Sequence, residues 1–225
     1  MEKVQYKLIE DYMLSCMKDS AHDEQHIYRV LYNAMDIAKT EKCVDYDILI
    51  GACLLHDIAR GEQFKDPKVC HAMLGGEKAY QFLIKQGFDA VYAQAVKQCI
   101  QTHRYRKNNQ PKSIESKILF DADKLDTAGA MGIARTLVYI GNVSEPLYAI
   151  LPNGEVSDGS VDEEPSFFQE YKYKLENLYS RFYTERGRQL ALDRRAAAVS
   201  FYNDMYKEVN SSHRNGRNEL NKVIS

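Results

Sequence analysis

Apolar residues recur along the first half of the chain at steps of three and four, the period of one helix face. Val4, Leu8, Tyr12 and Cys16 predict an amphipathic helix over about 2–18. Ile27, Val30, Leu31, Ala34 and Ile37 predict a second helix, with Asp23 placed to cap it. A third starts at Asp45 or Asp47, and its residues 48–55 are apolar nearly all round, the pattern of a centrally buried helix. Two more follow over about 70–86 and 88–103, with Gly87 as the stop between them. One long helical pattern then runs from Ser113 to about Ile140, with Ser113 or Ser116 at its start. Strand signals are weak throughout, so the reading is all-α.

The pattern lapses over 141–165, where Gly141, Pro146, Pro152, Gly154, Gly159 and Pro165 punctuate a segment made acidic by Asp158, Asp162, Glu163 and Glu164. A loop of that length either lies over a pocket or is an insert without chemistry. Helical periodicity returns from 166 to about 210, and the polar tail from 211 reads as frayed. The expected organisation is a helical core over 1–140, an acidic loop over 141–165 and a C-terminal helical extension over 166–225. Tyr171, Tyr173, Tyr179 and Tyr183 in that extension read as packing residues. The same segment could instead serve as a docking surface, for example in a homodimer.

Composition narrows the classes. With 30 Lys and Arg against 32 Asp and Glu, the net charge of -2 argues against general nucleic-acid binding, which needs a surplus of cations. No run approaches the roughly 20 apolar residues of a membrane span, and the first residues lack the apolar core of a secretory signal. Five cysteines, an odd number without a CxxC pair, suit reduced thiols, so a cytoplasmic protein is expected. Cys53 and Cys99 lie in apolar helical runs and read as core fillers.

The candidate chemistry lies in the histidines, five of whose six fall within the first 103 residues. His22 and His26 are four apart, within reach of one helix face. His56 and Asp57 close the most apolar helix, where a buried imidazole and carboxylate demand a partner, and a metal ion is one such partner. Asp121, Asp123 and Asp126 place three carboxylates on another apolar helix. Asp123 and Asp126 can share a face, whereas Asp121 and Asp123 cannot. Imidazole and carboxylate donors without a thiolate suit a divalent transition metal, Mn, Fe, Ni, Co or Zn, rather than Mg, Ca or a closed structural zinc.

HDEQHIYRV at 22–30, LLHDIAR at 54–60 and LFDADKLDTAGAMGIAR at 119–135 resemble the three signature blocks of the HD superfamily of metal-dependent phosphohydrolases. The resemblance covers about 15–140, and its last block is similar to small bacterial HD-domain proteins, some of them nucleotide phosphohydrolases. It implies an HD-domain helical bundle with additional C-terminal helices. It also implies His26, His56, Asp57 and Asp123 as metal ligands, with Asp57 and His56 at the reacting centre. His71 and His103 fall where some branches carry two further histidines. They would either help bind a second metal or contact phosphate. The chain departs from one branch, in which an acidic pair follows the HD dipeptide: Arg60 and Gly61 stand there, with Glu62 next as either a base or a surface carboxylate.

The expected reaction is attack of a metal-activated water on a nucleotide or another small phosphate ester or anhydride. His22, Arg104, Arg106, Lys107 and Lys124 are candidate phosphate contacts, Arg104 to Lys107 reading equally as a solvated loop. Arg29, three residues from His26, can pair with a structural carboxylate. The alternatives are a nucleotide-sensing or regulatory module that keeps the metal site without turnover, and a helical interaction protein.

Overall fold

The most apolar stretch of the chain forms its central helix. In the computed structural model, which describes residues 1–17, 24–104, 106 and 108–224, helix α3 (Tyr46–Leu55) starts where the Asp45 carboxylate accepts from the backbone N–H groups of Asp47 and Ile48 at 2.9 and 3.1 Å. A cap of this kind contributes about 1 kcal/mol. Leu49, Ala52, Cys53, Leu54 and Leu55 are buried against α1 (Lys3–Met17), α2 (Glu24–Ala38), α5 (His71–Lys85), α6 (Ala90–Thr102) and α7 (Ile114–Leu125). A Cβ at Gly51 would collide with the Tyr92 hydroxyl, so glycine there lets α6 approach α3. The predicted stripe Ile27, Val30, Leu31, Ala34 and Ile37 of α2 is buried. Each Val, Leu or Ile so buried contributes about 1.5–3 kcal/mol. The short α4 (Arg60–Lys65) lies between α3 and α5.

Among the described residues there is no sheet. A lone antiparallel bridge joins Ile150 and Val156. Nor is any helix among them long and apolar enough to cross a membrane. Cys53 and Cys99 are buried free thiols, and burial pushes both up, Cys99 to about 11, as suits core fillers.

The single helix expected from Ser113 to Ile140 is two. Ser113 caps α7, its hydroxyl accepting from Ser116 N–H, but α7 ends at Leu125 and α8 (Gly129–Val143) follows. Apolar spacing continues across the gap, which is why periodicity missed it. The break shows in the backbone of Gly129, whose φ of 66° is left-handed. A Cβ at Gly129 would also stand 2.9 Å from the Arg194 carbonyl oxygen.

Two compact units result: Met1–Asp126 with Phe182–Gly187, and Thr127–Arg181 with Arg188–Ser225. In the first, the returning segment is fastened to α7 and α2. Asp121 accepts from Tyr183 N–H and Thr184 N–H, the Tyr183 ring meets Phe120 edge-on, and Arg186 pairs with Asp36 at 2.7 Å. The second unit contains α8, the loop after it, α9 (Phe167–Glu170), a π-helical turn (Tyr171–Leu175), a 3-10 turn (Leu178–Ser180) and α10 (Glu185–Val223) from Arg188 onward. Tyr171 stacks on Tyr202 with centroids 4.0 Å apart, and the Tyr202 hydroxyl donates to the Asp158 carbonyl. Of the four tyrosines read as packing residues, Tyr171 and Tyr179 are buried, but Tyr173 is 59% and Tyr183 38% exposed.

The tail read as frayed is helical as far as Val223. No proline interrupts it, and each added residue extends an existing helix by one backbone bond at low cost. Arg217 donates to the Gly154 carbonyl at 2.8 Å, which ties this part of the helix to the acidic loop.

Candidate metal centre

Helix ends supply the site. His26 lies in the first turn of α2, His56 is the C-cap of α3 with Asp57 next, and His71 opens α5. His103 is the C-cap of α6, and Asp123 and Asp126 stand at the end of α7. All belong to the first unit. A helix end leaves backbone carbonyls without intrahelical partners. Two of the imidazoles use them: His56 Nδ1 lies 2.8 Å from the Cys53 carbonyl oxygen and His103 Nδ1 2.6 Å from that of Ile100. His26 Nδ1 lies 2.7 Å from Asp126 Oδ2, and His71 Nδ1 2.5 Å from Gln63 Oε1. Each Nδ1 therefore faces an acceptor, and a ring that carries its proton there has a bare lone pair on Nε2.

The Nε2 atoms face one another. His26 Nε2 is 3.3 Å from His56 Nε2, and His71 Nε2 is 3.2 Å from His103 Nε2. Asp57 stands between the pairs. Its Oδ2 lies 3.6 Å from His26 Nε2 and 3.9 Å from His56 Nε2, and its Oδ1 lies 3.2 Å from His71 Nε2 and 3.7 Å from His103 Nε2. Asp123 Oδ1 is 3.5 Å from His26 Nε2, while its Oδ2 accepts from Lys124 Nζ at 3.0 Å. Two groups of donors follow, His26 with His56 and Asp123, and Asp57 with His71 and His103, each spanning no more than 4.8 Å. Ligands about 2.0–2.2 Å from a shared ion stand roughly 3–4 Å apart, so both groups have the dimensions of a metal site.

The electrostatics keep His56, His103, Asp57 and Asp123 in their binding forms. Burial holds the His56 imidazole below its ordinary value, and burial with the neighbouring His56 pushes His103 down to about 3. Burial raises the Asp57 carboxyl, but His56, His71 and Arg60 outweigh it and hold it well below the usual range. Asp123 is likewise held low, its burial outweighed by Lys124 and then His103, His26 and His56. Neutral imidazoles and ionised carboxylates are the forms that bind a metal ion. Two facing lone pairs with no proton between them are repulsive, and a cation between them removes the repulsion.

Around the ligands, Asp126 is shared between His26 Nδ1 and Arg29, whose Nε and Nη2 donate at 2.7 and 3.1 Å. Arg104 is half-buried and donates to Gln63 Oε1 at 3.1 Å. Arg106 is exposed, and Glu62 pairs with Lys78 at 2.5 Å as a surface carboxylate. His22 and Lys107, both read as phosphate contacts, and the candidate cap Asp23 lie outside the described residues.

Asp121 points elsewhere. Its buried carboxylate takes Tyr183 N–H at 2.9 Å, Thr184 N–H at 2.7 Å and the Thr184 hydroxyl at 2.6 Å. Burial pushes it up to about 6, against the pull of those bonds. The folded form then retains a proton that the unfolded chain releases near pH 4. Stability from this group is therefore complete at lower pH and lost as pH rises through about 6. Asp121→Asn, neutral at every pH, is expected to gain on wild type between pH 4 and 7. The gain, on the order of 3 kcal/mol, would be read by urea unfolding of the metal-free proteins, with metal binding unchanged. A pH-independent difference would show that Asp121 is ionised throughout.

The sequence marks Asp126 only as sharing a face with Asp123, and nothing in it marks the parts played by Gln63 and Arg60. Gln63 has no periodicity or motif to mark it. Asp126, three residues beyond Asp123, carried the one usable signal.

Residues 24–128 match the HD domain family. The uncharacterized protein YpgQ of Bacillus subtilis strain 168 is 29% identical over 214 residues, 92% of this chain and 95% of its own. The crystal structure of YpgQ in complex with ADP is similar at a TM-score of 0.70 and 28% identity, over 91% of this chain and 98% of that one. A predicted HD superfamily hydrolase from an uncultured Thermotogales bacterium is 31% identical with a TM-score of 0.60, over 90% of this chain and 91% of that one. With the helical architecture and the ordered histidine and aspartate blocks, these likenesses show that the chain belongs to the HD superfamily of hydrolases.

Proposed function

We propose that this protein is a cytoplasmic metal-dependent phosphohydrolase acting on a nucleotide or another small phosphate ester or anhydride. The observation that carries the reading is the pairing of imidazole Nε2 atoms, His26 with His56 at 3.3 Å and His71 with His103 at 3.2 Å, on either side of Asp57. Four imidazoles and two carboxylates without a thiolate suit Mn, Fe, Ni, Co or Zn. In this reading His26, His56 and Asp123 would hold one ion, and His71 and His103 a second, with Asp57 as a ligand between the two groups. Ions bound there would supply Lewis-acid activation of water and of a phosphoryl oxygen.

The chain's own groups supply the rest. Asp57, ionised at neutral pH, can orient the attacking water by accepting its hydrogen bond. Arg104 and Lys124 are placed in sequence beside ligands and offer charge-assisted donors to the phosphate oxygens that do not react. The complex of YpgQ with ADP supports a nucleotide as the ligand class.

Calorimetric titration of chelator-treated protein with Mn²⁺, beside phosphate- and pyrophosphate-release assays on nucleoside mono-, di- and triphosphates, tests the reading. Uptake of about two ions per chain with metal-dependent release is expected. One ion with turnover would leave His71 and His103 as phosphate contacts. Bound metal without turnover of any nucleotide would favour a sensing module, and no metal uptake would sink the proposal.

A further inference from the structure

Two acceptors compete for the proton of His71, with a donor beside the ring. Arg60 Nη1 lies 3.0 Å from His71 Nδ1 and 3.4 Å from its Nε2, so it can donate to whichever nitrogen is bare. Asp57 Oδ1 lies 3.2 Å from His71 Nε2 and would accept from that nitrogen if it were protonated. Asp57 therefore favours the tautomer with the proton on Nε2, the nitrogen that also faces His103. Only Gln63, with Oε1 at 2.5 Å from Nδ1, favours the opposite one.

The orientation of the Gln63 amide is itself determined. Its Oε1 also lies 3.3 Å from the His71 backbone N–H and 3.1 Å from Arg104 Nη1. Both of these can only donate, so they require an oxygen there and exclude the flipped amide. Gln63 lies in α4 and His71 at the start of α5, eight residues on, so the short helix carries the acceptor to the ring.

We propose that Gln63 is a positioning residue that locks His71 in the Nδ1–H tautomer and so keeps its Nε2 bare. For His71 to face an ion rests on the function proposed above, but the lock belongs to the metal-free chain. Such outer partners of a ligating imidazole set which nitrogen is available, and their loss weakens metal binding about 10–100-fold. Arg104 helps indirectly, by holding the amide oxygen toward the ring.

¹⁵N spectra of histidine-labelled, metal-free protein at mildly alkaline pH distinguish protonated from bare ring nitrogens. The His71 signals are identified by their loss in His71→Asn. In wild type His71 should carry its proton on Nδ1. Gln63→Met keeps the length of the side chain without the acceptor, and His71 should pass to the Nε2–H form. Gln63→Glu restores an acceptor and should restore the wild-type pattern. In Mn²⁺ titrations the weaker of two binding events should lose about 10–100-fold in Gln63→Met and remain near wild type in Gln63→Glu. An unchanged His71 tautomer in Gln63→Met, or the same shift in both variants, would overturn the lock. If wild type takes up no metal yet the tautomer follows Gln63 as described, the lock stands and the metal reading fails.

Discussion

Asp57→Asn is expected to abolish metal-dependent hydrolysis, by at least about 10³-fold, and to empty both donor groups at once. The carboxylate has one oxygen beside His26 and His56 and the other beside His71 and His103, so its loss reaches both groups. Lewis-acid stabilisation contributes several kcal/mol to such reactions, and each 1.4 kcal/mol is a factor of ten in rate. The fold should survive. The introduced amide can donate to a neighbouring bare imidazole nitrogen, and α3 keeps its apolar packing. The clean readout is thermal unfolding with and without Mn²⁺. Metal at about 100 times its dissociation constant adds roughly 2.7 kcal/mol for one site. Wild type should gain that stabilisation and Asp57→Asn should not, at equal stability of the metal-free forms. A variant that still takes up metal and hydrolyses nucleotides would show that the convergence at Asp57 is a polar core and no catalytic site.

The parts of this arrangement carried by residue type and spacing were legible in the sequence. The apolar stripe of α2, the apolar run and Asp45 cap of α3, and the stop at Gly87 all follow from local rules, and the helices appear where those rules put them. His26 stood out through the clustering of histidines in the first 103 residues, His56 and Asp57 through closing an apolar helix, and His71 and His103 through the family resemblance. The folded chain brings all five together with Asp123. The choice between Asp121 and Asp123 was different. Two residues turn a helix by about 200°, so the two carboxylates must diverge. Apolar spacing along α7 does not say which faces the histidines, and only the family resemblance implied Asp123. In the fold Tyr183 and Thr184, more than 60 residues away, take up Asp121 with their backbone and hydroxyl. The acceptors of His56 and His103 are backbone carbonyls, which every residue possesses, so no sequence pattern could reveal them. The break before α8 escaped for a related reason. Apolar periodicity reports which face is buried, whereas the break depends on a glycine conformation.

Asp126→Ala is expected to combine the largest loss of stability with a loss of metal affinity. The Asp126 side chain is 2% exposed and binds both His26 Nδ1 and the Arg29 guanidinium. Removing one partner of a buried ion pair costs about 3–5 kcal/mol, chiefly because the other charge is left without compensation. The Arg29 side chain is 29% exposed, so water relieves part of that penalty and the lower end, about 3 kcal/mol, is expected. His26 loses the acceptor that holds its proton on Nδ1, so affinity at the His26 group should fall about 10–100-fold. Arg29→Met in the same chain separates the two effects. It removes the guanidinium that has lost Asp126 and should recover on the order of 1–2 kcal/mol in urea unfolding, a coupling of the size found between contacting residues. It should not restore metal affinity, because His26 still lacks its acceptor. If the double variant recovered both, Asp126 would matter to His26 only through Arg29. If neither property changed in Asp126→Ala, the buried carboxylate would have no part in organising the site.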